Sequence, residues 1–142
     1  MSMSLRKGSK IALSWTGSER MRCFCMTQAD RAVIGKMIGY CDDVTDLIAE
    51  FGDSYDIFSK QKSFRYAASM CILQIGELVN RLSPDILQEN VQIPWRMIRA
   101  MRNVFAHSYE SADMDIMWET VKEDIPSLKR QLSGILASAE GH

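Results

Sequence analysis

The stretch SFRYAASMCILQIGELVNRL, residues 63–82, decides the fold of this 142-residue chain. Its apolar residues recur at steps of three and four, the spacing of one face of an α-helix: Phe64, Ala68, Cys71, Ile72, Ile75, Leu78, Val79 and Leu82. Tyr66, Met70 and Leu73 add apolar surface outside that stripe. Because such a helix is apolar over most of its circumference, we expect it to lie at the centre of a bundle or to be covered by a second subunit.

Gly76 interrupts this apolar helix. Glycine within a helix costs about 1 kcal/mol relative to alanine. We therefore predict that Gly76 marks a close contact with another helix.

The pattern before this stretch predicts a first long helix and a short one. Thr27 is a candidate N-cap, and apolar residues follow it at helical spacing until Gly52. Asp53 or Ser54 can start a short helical turn before the central helix begins.

Two further long helices, preceded by a short turn or helix, are predicted after the central one. A short turn or helix opens at Ser83-Pro84, and Pro94 announces a long helix whose expected buried side is formed by Trp95, Met97, Ile98, Met101, Val104 and Phe105. A last helix begins near residues 111–113, and Pro126 inside it is expected to bend it. Trp95 is expected in the core rather than on a base-stacking surface.

The composition supports one all-α domain. The chain is 46% hydrophobic and 25% charged, and its eight glycines and three prolines are few. We predict an up-and-down bundle of about four main helices plus short ones over residues 27–142. Residues 1–26 are expected to form a flexible extension, although Met26 could also be the start of the native protein.

Several kinds of site are disfavoured by the residue types. No apolar run approaches the roughly 20 residues of a membrane span. Cys23 and Cys25 are too close together for a usual zinc pair, and Cys41 and Cys71 lie on apolar stripes, so buried free thiols are expected. We predict no metal, no cofactor and a cytoplasmic location.

Charge is segregated along the chain although the net charge is only −1. Residues 60–102 carry seven basic and three acidic residues, whereas residues 103–142 carry three basic and seven acidic ones. Such a positive segment suits a phosphate-binding site, but solvated helix faces would give the same counts.

A cluster of polar side chains falls within the positive segment. At 100° per residue, Arg96, Arg99, Asn103 and His107 lie within about 80° of one another, with Arg102 beside them. No carboxylate interrupts residues 95–109. A histidine at a helix C-terminus can also be a simple partner of the helix dipole, so the cluster alone does not establish a site.

These residue types can cleave RNA without a metal. Histidine can take a proton from a ribose 2′-hydroxyl or donate one to the leaving oxygen, and arginine can stabilise the charge that gathers on the phosphate. Concerted cleavage needs both an acid and a base, yet the segment holds only His107. A two-fold dimer would supply the second group.

Residues 102–109 read Arg102-Asn103-Val104-Phe105-Ala106-His107-Ser108-Tyr109. This segment resembles the Arg-x-x-x-x-His-x-Tyr motif of HepT, the toxin of HEPN/MNT toxin-antitoxin pairs. Three further segments resemble that family's helices: Ile75-Gly76-Glu77 before Leu82-Ser83-Pro84, Ile93-Pro94-Trp95, and Trp118 through Asp124-Ile125-Pro126-Ser127-Leu128. The resemblance covers about residues 28–136.

The resemblance implies an all-α HEPN fold, a homodimer and a metal-independent endoribonuclease acting on an RNA such as tRNA or mRNA. By position, Arg102 would bind the phosphate, Asn103 would orient it and His107 would be the acid and base. Tyr109 would be the residue to which an MNT-type nucleotidyltransferase antitoxin attaches AMP.

Glu77, Arg96 and Arg99 are assigned supporting roles. Arg96 and Arg99 would bind the RNA backbone, whereas Glu77 either reaches the cleft or forms a structural ion pair with Arg99 or Arg102.

Alternatives to this function remain open. Tyr109 could close the helix end against the core. The whole chain could instead be a non-catalytic dimeric scaffold that binds a nucleotidyltransferase, or a small helical adaptor without any link to nucleotides.

Overall fold

The computed structural model describes residues 26–108 and 113–140, and every regular element in this part of the chain is helical. Within these two ranges, seven α-helices and one π-helical turn follow one another: α1 Gln28–Phe51, α2 Tyr55–Lys60, α3 Lys62–Val79, α4 Pro84–Glu89, α5 Trp95–Ser108, α6 Met114–Glu119, the π-helical turn Thr120–Asp124, and α7 Ile125–Glu140. The all-α class is confirmed. The predicted extension over residues 1–26 lies outside the described residues except for Met26.

Hydroxyl side chains cap three of the helices where the sequence predicted a start. Thr27 Oγ1 accepts a hydrogen bond from the Asp30 backbone N–H at 3.0 Å. The Oγ atoms of Ser54 and Ser83 accept from the N–H groups three residues later, each at 3.4 Å. Each cap satisfies a backbone donor that the first helical turn leaves free.

Contacts at both ends of α1 and α3 show that these helices are antiparallel. Phe51 at the end of α1 stacks on Phe64 near the start of α3, with 5.0 Å between ring centroids. At the other end, Asp30 in the first turn of α1 bonds to Ser83, which follows α3.

The remaining long helices complete an up-and-down arrangement. Lys122 pairs with Asp53 and Lys129 pairs with Asp42, so α7 runs antiparallel to α1. Helix α5 also runs antiparallel to its neighbour α3, because Gly76 lies against Arg102 whereas the earlier Ser69 shares a groove with the later Phe105. Helix α3 packs against both α1 and α5, so it lies at the centre of the bundle, one of the two positions predicted for it.

The apolar stripe of α3 forms the middle of the core. All eight residues predicted for that stripe are buried. Tyr66 and Met70, which lie outside it, are 46% and 56% exposed in the single chain.

The expected burial of Met97 is wrong. Its side chain is 67% exposed, whereas the next residue, Ile98, is 4% exposed. A step of one residue turns a helix by 100°, which carries Met97 away from the face that contacts α3. Met97 instead borders an open groove between α5 and α7.

The predicted single helix around Pro126 is replaced by two α-helices joined through a π-helical turn. The Ile125 N–H bonds to the Thr120 carbonyl, five residues back instead of four. Proline has no N–H and its ring crowds the carbonyl four residues earlier, so a wider turn beside Pro126 relieves the conflict.

Candidate functional site

Helix α5 presents a row of arginines to the solvent. Arg96, Arg99, Arg102 and Asn103 are exposed, while Ile98 and Phe105 of the same helix are 4% and 1% exposed. The buried side chains fix the rotation of α5 about its axis, and this rotation turns the arginine face outward. Trp95 is buried as expected, and its Nε1 donates to the Asn90 carbonyl at 3.1 Å.

An ion pair fixes one of these arginines. Arg102 Nε lies 2.7 Å from Glu77 Oε2, and the two side chains are 46% and 48% exposed. Arg102 also donates from Nη1 to Asn103 Oδ1, at 3.5 Å. Glu77 therefore forms an ion pair, and its partner is Arg102.

Water and salt screen the attraction between Glu77 and Arg102. Half-exposed ion pairs contribute less than about 1 kcal/mol to stability. The pair matters more for the orientation of the Arg102 guanidinium. Glu77 accepts from the Nε–H, and the Nη2 amino group has no partner among the described residues. A guanidinium held in this way can offer its remaining donors to a phosphate.

Gly76 allows the ion pair to form at a close helix contact, as predicted. A Cβ atom at Gly76 would lie 3.0 Å from Arg102 Cβ and 3.4 Å from the Ile98 carbonyl oxygen. Glu77 follows directly along α3, so the closest approach of the two helices and the carboxylate that binds Arg102 are adjacent in sequence.

Fewer basic side chains contribute to an exposed positive surface than the counts along the sequence indicate. Arg65 is only 7% exposed and donates to the backbone carbonyls of Phe58 and Ser59, where it caps the end of α2. Lys60 pairs with Asp56. Arg96 and Arg99 form no ion pair with any described residue. Of the seven basic residues in the segment 60–102, three exposed ones, Arg96, Arg99 and Arg102, lie together on α5.

A groove adjoins the arginine face on the side of α3. It has a volume of about 280 Å³ and is lined by Tyr66, Ser69, Met70 and Leu73 of α3 and by Phe105 of α5. Ser69 is 5% exposed, and its Oγ is buried without a hydrogen-bond partner in the described part of the chain. Ser69 was not among the residues predicted to form the site.

Two predicted site residues lie at the edge of the described region. His107 belongs to the last turn of α5, four residues after Asn103, but its side chain lies outside the described residues, as does the whole of Tyr109. The structure thus brings Glu77, Arg102 and Asn103 together. Its helix backbone carries His107 about 7.5 Å beyond Arg102 along the axis.

The described residues can be compared with the patterns of metal sites and membrane spans. They contain no group of three His, Cys, Asp or Glu side chains placed to hold a metal ion. None of the described helices is long and apolar enough to cross a membrane.

Sequence comparison finds relatives of this chain that are named as putative or probable ribonucleases. A putative RNase of Methanocaldococcus jannaschii is 30% identical over 111 residues, which span 78% of this chain and 90% of that protein. A second one from the same organism is 29% identical over 110 residues, spanning 78% and 93%. A protein of Thermococcus cleftensis named as a probable ribonuclease HepT is 35% identical over 95 residues, spanning 63% and 86%.

No solved structure gives a significant match to the chain. The HepT-like ribonuclease family matches residues 37–135, which include α3, α5 and every site residue named above. The chain therefore belongs to the HepT-like ribonuclease family.

Proposed function

We propose that this protein is a metal-independent endoribonuclease in which Arg102 and His107 act on the scissile phosphate. The observation that carries the proposal is the Glu77–Arg102 pair, which fixes a guanidinium on an exposed cationic helix face five residues before His107. The family and the names of its relatives support RNA as the substrate.

The reaction follows from the groups on α5. His107 takes the proton of a ribose 2′-hydroxyl, whose oxygen attacks the neighbouring phosphorus. Arg102 stabilises the phosphorane, which gathers negative charge, and Asn103 orients its oxygens. A protonated imidazole then donates a proton to the departing 5′-oxygen. The products are a 2′,3′-cyclic phosphate and a 5′-hydroxyl, and DNA is not cut because it lacks the internal nucleophile.

The need for both a base and an acid supports a homodimer. His107 can fill only one role at a time, and the other histidine of this chain is the terminal His142. In a two-fold dimer that joins two α5 segments, one His107 acts as the base and its symmetry mate acts as the acid. Arg96 and Arg99 then bind the RNA backbone on either side of the cleft.

The motif also supports a role in a toxin-antitoxin pair. In this proposal the enzyme cleaves a cytoplasmic RNA such as tRNA or mRNA, and an MNT-type nucleotidyltransferase neutralises it by transferring AMP to Tyr109. The adduct places a bulky anion two residues after His107, where it blocks the cleft and opposes its positive field.

Cleavage of total RNA and purified tRNA in EDTA tests the ribonuclease function. We expect the wild-type protein to produce 2′,3′-cyclic phosphate ends. His107→Ala, purified identically, should produce none while remaining folded. Equal cleavage by both proteins would identify a contaminant. An absence of cleavage by the wild type would favour the non-catalytic scaffold that binds a nucleotidyltransferase.

A further inference from the structure

The groove between α3 and α5 lies about one helical turn from the proposed phosphate site on both helices. Phe105, which lines it, is three residues after Arg102, a rise of about 4.5 Å. Leu73, on the opposite wall, is four residues before Glu77, a rise of about 6 Å. A group bound in the groove is therefore next to the phosphate that Arg102 would hold.

The walls of the groove select for an uncharged, flat ligand. None of its five described lining residues carries a charge. Tyr66 supplies an aromatic ring at the rim, and Met70, Leu73 and Phe105 supply apolar surface. Such walls bind the faces of an aromatic ring and disfavour a phosphate or a charged side chain.

Ser69 provides one polar group within these apolar walls. Buried hydroxyls are nearly always hydrogen-bonded, and a helical serine can usually bond to the carbonyl four residues earlier. Ser69 Oγ makes no such bond to any described residue. Its rotation about a single bond can direct the hydroxyl into the groove, where it can donate to or accept from a ligand edge.

We propose that this groove is a nucleobase subsite, which binds the base of the nucleotide adjoining the scissile phosphate. The base packs against Tyr66, Met70 and Leu73, and its polar edge bonds to Ser69 Oγ. The subsite would make cleavage depend on the identity of that base. This inference rests on the proposed ribonuclease function.

A second copy of the chain is the competing occupant of this face. A stable protein interface buries about 800 Å² on each partner, whereas Tyr66 and Met70 are the only large apolar side chains among the described residues that are exposed on this face. An apolar protein surface would also leave Ser69 Oγ without a partner, at a cost in free energy. The observations therefore favour a base over a second copy.

The first test compares cleavage of an RNA pool of randomised sequence, with the new 5′-hydroxyl ends identified by sequencing. The wild type should favour certain bases at one position beside the cut. Ser69→Ala should reduce that preference by roughly three- to tenfold, as expected for one lost hydrogen bond. Tyr66→Leu should raise KM roughly fivefold or more, whereas Tyr66→Phe should keep the stacking and most of the affinity.

Controls separate this effect from a loss of folding. Ser133→Ala, at an exposed serine of α7, should leave both rate and base preference unchanged. Ser69→Ala should not lower the unfolding temperature, because it removes an unpaired buried hydroxyl. An unchanged base preference in Ser69→Ala together with an unchanged KM in Tyr66→Leu would overturn the subsite and leave the ribonuclease function intact.

A second test does not require cleavage. An oligonucleotide carrying 4-thiouridine beside one 2′-deoxy linkage, which cannot be cut there, is crosslinked by light and the adduct is mapped by mass spectrometry. We expect adducts within residues 66–73. Binding of the oligonucleotide with all adducts elsewhere would overturn the subsite, and an absence of RNA binding would overturn the subsite and the ribonuclease function together.

Sedimentation of Met70→Glu addresses the competing occupant. The variant should keep the mass of the wild-type assembly while its KM for RNA rises. If Met70→Glu instead dissociates the assembly, the face is a protein interface and the proposal is wrong.

Discussion

Arg102 Nε lies 2.7 Å from Glu77 Oε2, and this pair joins α5 to α3 directly beside Gly76, where the two helices come closest. The carboxylate belongs to the helix that is buried at the centre of the bundle. The guanidinium belongs to the helix that carries the motif. The position of the proposed phosphate-binding group is thus set by the packing of the core.

Glu77→Gln should impair catalysis more than stability. The amide keeps the size of the side chain but loses the charge that holds Arg102 Nε, so the guanidinium samples more orientations. We expect kcat to fall about tenfold, which corresponds to about 1.4 kcal/mol of transition-state stabilisation. The free energy of unfolding should change by less than about 1 kcal/mol, because the pair is half exposed.

A matched ion pair provides the control for this variant. Lys129 and Asp42 pair at 2.6 Å with side chains that are 44% and 48% exposed, far from the motif in sequence. Asp42→Asn should change the free energy of unfolding as little as Glu77→Gln does and leave kcat unaltered. Equal kcat values for all three proteins would show that Glu77 does not position Arg102.

Gly76→Ala should displace α5. The added methyl group would lie 3.0 Å from Arg102 Cβ and 3.4 Å from a backbone oxygen of α5, so α5 must shift by a few tenths of an ångström. Displacement of a positioned group lowers rates steeply, and we expect kcat/KM to fall about tenfold or more. The helix-propensity gain of about 1 kcal/mol should be largely cancelled by this strain.

Gly134→Ala isolates the propensity effect. A Cβ atom at Gly134 on α7 would meet nothing within 4 Å. This variant should be more stable by up to about 1 kcal/mol in urea unfolding, with unchanged activity. If Gly76→Ala is stabilised as much as Gly134→Ala and keeps its activity, the contact at Gly76 tolerates a methyl group and the prediction is wrong.

Tyr109→Phe should escape modification and retain cleavage. The phenol oxygen is the nucleophile that would attack the α-phosphorus of ATP and release pyrophosphate, and phenylalanine lacks it. Intact-mass measurement after incubation with the nucleotidyltransferase and ATP should show the AMP adduct on the wild type alone. Tyr55→Phe, at an exposed tyrosine of α2, should still be labelled. Equal labelling of Tyr109→Phe and the wild type would place the modification elsewhere.

Local patterns in the sequence were sufficient for the starts of α1, α2 and α4 and for the core of α3. A cap such as Thr27 bonds to an N–H three residues away, and an apolar stripe needs only a regular period, so both are visible without knowledge of the fold. The close contact at Gly76 was also predictable, because a glycine inside an apolar helix carries a cost that packing can offset.

Features that depend on other elements were not predictable in the same way. Arg65 counted as part of a positive segment, yet it is buried because the open end of α2 accepts its hydrogen bonds. Met97 is exposed because α5 turns a different face towards α3. Ser69 did give a weak signal, since it lies seven residues before Gly76 and so on the same face of α3.

Asp30→Asn should destabilise the fold strongly for a single polar change. The Asp30 carboxylate is 3% exposed and accepts from the Ser83 backbone N–H at 2.9 Å and from Ser83 Oγ at 2.7 Å. The amide NH₂ group of the variant would face one of the two Ser83 donors, which would then lose its acceptor. We expect a loss of roughly 1.5–3 kcal/mol in urea unfolding. Glu50→Gln, at an exposed position of the same helix, should cost less than about 0.5 kcal/mol.

The two buried cysteines of the described residues, Cys41 and Cys71, should make the free energy of unfolding depend on pH in the alkaline range. Burial, and secondarily the nearby Asp42, raises the pKa of Cys41 from 9.0 to about 12. Burial, and secondarily Asp43, raises the pKa of Cys71 to about 11. Unfolding returns both thiols to solvent, so above pH 9 the unfolded chain releases protons that the folded chain retains.

The sign of the effect follows from this difference in bound protons. The thiol contribution to stability is complete below pH 9 and is lost as the pH rises towards 11 and 12. Urea unfolding of the wild type between pH 7 and 11 should therefore show a falling free energy of unfolding above pH 9. Cys71→Ala should begin less stable at pH 7 because it loses buried volume, yet decline less steeply. Parallel declines in the two proteins would mean that Cys71 already titrates normally in the folded state.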